Sequence, residues 1–108
     1  MKLTESQLVY QVMRELGRYG AVFRTNAGRY YTKSGAHVSG LPKGFTDILF
    51  FRPDGQACFI ECKLPGGKPT PEQAAFIARM QSYGSLAGVA YNVNEALAIC
   101  GLLEHSEA

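Results

Sequence analysis

The chain has 108 residues, 46% apolar and 19% charged, with 11 basic residues against 9 acidic and a formal net charge of +2. Those proportions predict one globular domain over residues 1–108 with a single hydrophobic core, and they exclude a disordered chain. The three cysteines, Cys58, Cys62 and Cys100, are odd in number and form no CxxC pair, which argues against a disulfide framework or a zinc site and for a reducing compartment.

The N-terminal stretch MKLTESQLVYQVM has no long apolar core after Lys2, so no secretory leader is expected. No apolar run approaches the length of a membrane span, and a cytoplasmic protein with no membrane partner is the expectation. Thr4-Glu5-Ser6-Gln7 reads as a capping box opening a first helix, with Leu3 and Leu8 placed for a hydrophobic staple. Leu8, Val9, Val12, Met13, Leu16 and Tyr19 recur at helical spacing, and Gly20 is a plausible stop. Ala21 to Thr25 predicts a short strand. Residues 26–44 are rich in Gly, Ser and Tyr without a clear period, so a long loop with room for strand fragments is expected there.

Thr46 to Phe51 and Ala57 to Lys63 predict two strands joined through Pro53-Asp54-Gly55 as an antiparallel hairpin. Thr70 caps a second helix, with Pro71 at its first position, Gln73 completing another capping box, and Phe76, Ile77 and Met80 as its apolar stripe up to Gly84. Leu86 to Val93 predicts a strand parallel to the second hairpin strand. Asn94 is the expected cap of a last helix over Glu95 to Leu103, followed by a frayed tail from Glu104. The order α-β-β-β-α-β-α predicts an α/β fold, a mixed sheet flanked by helices.

The unusual feature is charge inside apolar strands. If Pro53-Asp54-Gly55 is a three-residue loop with Gly55 left-handed, Arg52 faces Gln56 and Asp47 stands directly opposite Glu61 on one face. Opposed side chains start about 5 Å apart at Cβ, and Lys63, two residues on, points the same way. Two carboxylates that close repel each other unless a cation lies between them, and oxygen ligands suit Mg²⁺ or Mn²⁺. A lysine beside such an ion would face water or a phosphate. The plainer alternative is a salt-bridged Asp47–Glu61–Lys63 triad on a solvated strand face.

Charge along the chain is uneven. Seven basic residues (Arg14, Arg18, Arg24, Arg29, Lys33, Lys43 and Arg52) stand between positions 14 and 52 against Glu15 and Asp47, which suits a phosphate-binding face as well as a merely solvated one. Asn26 and the Tyr30-Tyr31 pair beside Arg29 and Lys33 could touch nucleic acid from the long loop. His37 and His105 have no evident partner, and the cysteines read as core fillers.

The run Gly44-Phe45-Thr46-Asp47-Ile48-Leu49, then Phe59-Ile60-Glu61-Cys62-Lys63, then Gly66-Gly67-Lys68-Pro69-Thr70-Pro71-Glu72-Gln73, resembles the virus-type replication-repair nuclease (VRR-NUC) domain of the PD-(D/E)xK superfamily. Thr46 stands where the superfamily name has Pro. The resemblance implies a restriction-endonuclease-like fold and a metal-dependent deoxyribonuclease. Asp47 and Glu61 would be the metal-binding carboxylates, and the backbone carbonyl of Cys62 a third ligand. Lys63 would position or activate the attacking water. Glu5 would help hold the metal from the first helix, and Gln73 would contact the site or the substrate phosphate from the second. The first-turn position of Glu5 and the capping role of Gln73 explain those two residues equally well without chemistry. Stand-alone members resemble Holliday-junction resolvases, which implies branched DNA as substrate and, from the two-fold symmetry of a four-way junction, a homodimer. The rival reading is a catalytically inactive DNA-binding module of the same fold.

Overall fold

The computed structural model describes residues 2–25, 29–31, 33–35 and 37–103. Asn26, His105 and the tail from Glu104 lie outside the described residues, as do the side chains of Tyr30, Tyr31 and His37. The elements are α1 (Glu5–Leu16), β1 (Ala21–Arg24), β2 (Arg29–Tyr31), β3 (His37–Ser39), β4 (Ile48–Phe51), β5 (Ala57–Cys62), α2 (Pro71–Ser82), β6 (Leu86–Ala90) and α3 (Val93–Ile99).

β1, β4, β5 and β6 form one sheet in the order β1-β4-β5-β6, antiparallel except for the parallel pair β5–β6. The helices and the four strands of this sheet follow the expected order α-β-β-β-α-β-α. The additional antiparallel pair β2–β3 falls inside the segment read as a loop with strand fragments.

The hairpin register is the expected one. Ile48 faces Ile60 and Phe51 faces Ala57. The Arg52 N–H donates to the Gln56 carbonyl at 3.0 Å and the Gly55 N–H to the Arg52 carbonyl at 2.8 Å, with Gly55 at φ +89°. Only a residue free of a Cβ penalty takes that angle easily, so Gly55 sets the loop length and through it the register.

Both capping boxes form. Thr4 Oγ1 accepts from the Gln7 N–H while Gln7 Oε1 accepts from the Thr4 N–H, and Thr70 and Gln73 repeat the arrangement at α2. Ends of β1, β4 and β5 differ from the sequence expectation by one or two residues, and larger differences fall at α1, β6 and α3, which ends at Ile99 rather than Leu103. α1 ends at Leu16 with Gly17 as its cap, one turn early, and Tyr19 is 40% exposed. The last helix is capped by Asn92, whose side chain accepts from the Glu95 N–H at 2.8 Å, rather than by Asn94. Both asparagines suit a cap, but the Tyr91 N–H is taken by Glu95 Oε1, which turns the chain into the helix two residues sooner and shortens β6 to Ala90.

Alternation along the strands divides the sheet into two faces. Ile48, Phe50, Cys58, Ile60 and Cys62 pack with Leu8, Val9, Val12 and Leu16 of α1, with Ala96 and Leu97 of α3 and with its C-cap Cys100, all buried. The opposite face carries Phe59, which meets Phe45 and, from α2, Phe76, with ring centroids 4.5 to 5.9 Å apart. Among the described residues, no helix is long and apolar enough to cross a membrane.

Candidate metal centre

Asp47 precedes β4, and Glu61 and Lys63 lie on and just past the end of β5, on the face that α2 covers. The N-terminus of α1 brings Glu5 to the same edge of the sheet. One carboxylate oxygen from each of Glu5, Asp47 and Glu61 lies within 4.8 Å of the others. Lys63 Nζ stands 3.6 Å from Glu61 Oε2, with its side chain 14% exposed and that of Glu61 1% exposed. The Cys62 N–H donates to Asp47 Oδ2 at 2.9 Å, which ties the two strands together beside the cluster.

The electrostatics are unbalanced. Three carboxylates face one ammonium, and Glu61 Oε1 is buried with no hydrogen-bond partner. A buried charged oxygen left unpaired is costly. Burial pushes the Glu61 carboxyl up to about 7, the charge of Asp47 adds to it, and Lys63 pulls it back only in part. The same burial and carboxylates push the Cys62 thiol up to about 12, so its side chain is a neutral core filler. The donor set is all oxygen, hard and anionic, and one buried oxygen of Glu61 has no hydrogen-bond partner. Those residues fit a divalent cation of the Mg²⁺ or Mn²⁺ kind.

Glu5, Asp47, Glu61 and Lys63 are therefore brought together as expected. Gln73 sits at the first turn of α2, partly buried, with its amide oxygen engaged by the Thr70 N–H at 2.9 Å. Its amide nitrogen is the only part of the group left for other work.

Two supporting residues escape a reading of the sequence. Thr25 continues the β1–β4 register past Arg24, so it stands beside Asp47. Its N–H donates to the Asp47 carbonyl at 2.9 Å and its hydroxyl to the Thr46 carbonyl. A β-branched hydroxyl residue closing a strand is the only signal for it. Gly44, quoted above as part of a motif, has φ +96°, and a Cβ there would lie 2.6 Å from the Glu72 carbonyl oxygen. The glycine lets the approach to Asp47 pass against the first turn of α2, which places Phe45 in its aromatic cluster.

No protein-family model matches the chain. A solved structure described as a VRR_NUC domain overlays with a TM-score of 0.64 at 21% identity, covering 95% of this chain and 97% of that one. The chain therefore has the fold of a VRR_NUC domain, a restriction-endonuclease-like mixed sheet flanked by helices. The small subunit of a heterodimeric restriction endonuclease overlays with a TM-score of 0.38 at 25% identity, over 74% of this chain and 44% of that one. In sequence, the chain is similar to "Putative nuclease p44" of Acyrthosiphon pisum secondary endosymbiont phage 1, 45% identical over 47 residues, which are 44% of this chain and 50% of that protein. The match thus spans about half the length of this relative.

Proposed function

We propose that the chain is a single nuclease domain over residues 1–108, a divalent-metal-dependent endonuclease that hydrolyses DNA phosphodiester bonds and prefers branched DNA such as a Holliday junction. The observation that carries this reading is the convergence of the Glu5, Asp47 and Glu61 carboxylates, with one buried oxygen of Glu61 unpartnered and Lys63 alongside. The VRR_NUC fold and the nuclease description of the phage relative support it.

Asp47 and Glu61 would hold the ion, with the Cys62 carbonyl and Glu5 completing the protein's share. A divalent cation there would neutralise charge on the phosphoryl oxygens and acidify water for attack. Lys63 is tethered by Glu61, so its ammonium is held where it can orient the attacking water and offset charge that develops in the transition state. Its orientation is not left to side-chain entropy, because the stem is largely buried. Gln73 would offer its free amide nitrogen to a phosphate oxygen. In-line attack on phosphorus from the side opposite the leaving 3′-oxygen leaves a 5′-phosphate and a 3′-hydroxyl. Two symmetric cuts in a four-way junction require two copies of the site, so the active form is a homodimer. We place it in the cytoplasm of a bacterial or phage-infected cell.

The test is cleavage of labelled four-way junction, flap, single-stranded and linear duplex DNA with Mg²⁺, Mn²⁺ or EDTA. Junction cutting that requires metal and is lost in Asp47→Ala is expected. Cutting that persists in EDTA would sink the metal-dependent reading, and cutting of linear duplex alone would remove the preference for branched DNA.

A further inference from the structure

A cavity of about 520 Å³ opens at the end of the sheet, lined by Lys2, Leu3, Leu64, Pro65 and Tyr91. Its position in the chain is informative. Leu64 and Pro65 directly follow Lys63, and Lys2 and Leu3 lie just ahead of Glu5. Tyr91 follows β6, so the cavity sits beyond the carboxyl ends of the two parallel strands. That is where open α/β sheets bind ligands. Two residues of extended chain span about 7 Å, so the walls begin within one nucleotide's reach of Lys63.

The chemistry of the walls selects a class of occupant. Leu3, Leu64 and Pro65 are apolar, and Tyr91 contributes an aromatic ring. The Tyr91 hydroxyl donates to the Gly67 carbonyl at 2.8 Å, which fixes the ring against the loop that follows Lys63. Lys2 supplies a cation, and the lining contains no carboxylate. An apolar space with a fixed aromatic wall and one ammonium suits a planar base with its attached phosphate. The volume lies within the ordinary range of small-ligand sites.

We infer that this cavity is a nucleotide subsite that takes one unpaired base next to the phosphate being cut. The inference rests on the nuclease reading and adds to it a substrate preference. A base stacked in a continuous duplex does not enter such a cavity. It must leave the stack, which is least costly where it is already unpaired or beside a branch.

Two measurements decide it. The first is titration of the full chain with deoxyadenosine 5′-monophosphate, following methyl resonances by NMR. Leu3 and Leu64 are expected to shift while Leu97 of the core does not. Shifts reproduced in full by inorganic phosphate would reduce the site to an anion contact at Lys2 and overturn the base subsite, as would no shift at all. The second compares cutting of a duplex carrying unpaired nucleotides with cutting of a fully paired duplex. Leu3→Trp or Pro65→Trp, each filling the cavity from an exposed or partly exposed wall, should raise KM for the unpaired substrate roughly tenfold. The fully paired duplex should be unaffected, with the melting temperature kept as a check on folding. Equal behaviour of both variants and the wild type on both substrates would overturn the inference. If the wild type cuts nothing, the nuclease reading fails, and the nucleotide titration still decides the cavity by itself.

Discussion

Strands β4 and β5 carry two molecules' worth of chemistry on one backbone. On the face toward α1 and α3, Ile48, Phe50, Cys58, Ile60 and Cys62 are all 0% exposed and packed against apolar neighbours. On the other face, Glu61 is 1% exposed, as deeply buried as its neighbours in sequence, yet one of its oxygens has no partner. The dry face gains its stability from packing. The opposite face gives stability up, through repelling carboxylates and an unsatisfied oxygen, at the cluster proposed to hold a cation. Equal burial thus has opposite energetic sign on the two faces, and substitutions on one face and the other should separate stability from activity.

The largest effects test that separation directly. Phe50→Ala on the packed face should cost about 3–5 kcal/mol of folding stability, measured by denaturant unfolding, because it leaves a large cavity in the core. Lys63→Ala should lower kcat on the order of 10²–10³-fold in the DNA cleavage assay with Mg²⁺, and the stability it loses by leaving Glu61 without its ammonium should stay below that of Phe50→Ala. If Lys63→Ala retained cleavage, the lysine would be a mere ion-pair partner of Glu61, and the face would lose its chemical reading.

A pH series sharpens the contrast. The folded carboxyl of Glu61 is raised from 4.5 to about 7. A raised carboxyl means that the folded protein binds the proton more tightly than the unfolded chain. The protonated Glu61 therefore contributes stability that is fully present below about pH 4.5 and is lost as pH rises through about 7. In EDTA, the wild type should lose roughly 2–3 kcal/mol across that window. Glu61→Gln should flatten the loss, and Mg²⁺ should stabilise the wild type at pH 8 but not the variant. A wild-type stability that ignores pH and Mg²⁺ alike would mean that Glu61 is satisfied in solution.

The parts of this arrangement that were legible in the sequence were those set by local rules. Pro53-Asp54-Gly55 determines a loop length, and a loop length determines that Asp47 meets Glu61, because side chains alternate with a period of two. The capping boxes at Thr4 and Thr70 needed no tertiary information for the same reason. The cap of α3 was misplaced because Asn92 and Asn94 are equal by local preference, and the choice falls to Glu95, which reaches back to the Tyr91 N–H. Thr25 was invisible because its role depends on a strand pairing across 22 residues of sequence, from 25 to 47. Gly44 could be quoted as part of a motif, but its reason, the Glu72 carbonyl oxygen that a Cβ would meet at 2.6 Å, exists only once α2 has docked.

The smallest effect concerns α2, the helix covering the charged face. Thr70 and Gln73 share one capping box, in which each side chain accepts one of the two bonds from the other residue's N–H. Thr70→Ala should cost about 1 kcal/mol of stability and leave kcat within a factor of about two. Gln73→Glu is the more discriminating change. Glutamate at this position completes a capping box as well as glutamine does, so stability should hold. It cannot donate a hydrogen bond from an amide nitrogen, and it adds negative charge where a phosphate is proposed to lie. Cleavage should therefore fall roughly tenfold with Gln73→Glu, a loss of about 1.4 kcal/mol of transition-state stabilisation, with the melting temperature unchanged. If Gln73→Glu cuts as fast as wild type, the residue belongs to the helix cap alone, and the chemistry of this face ends at the edge of the sheet.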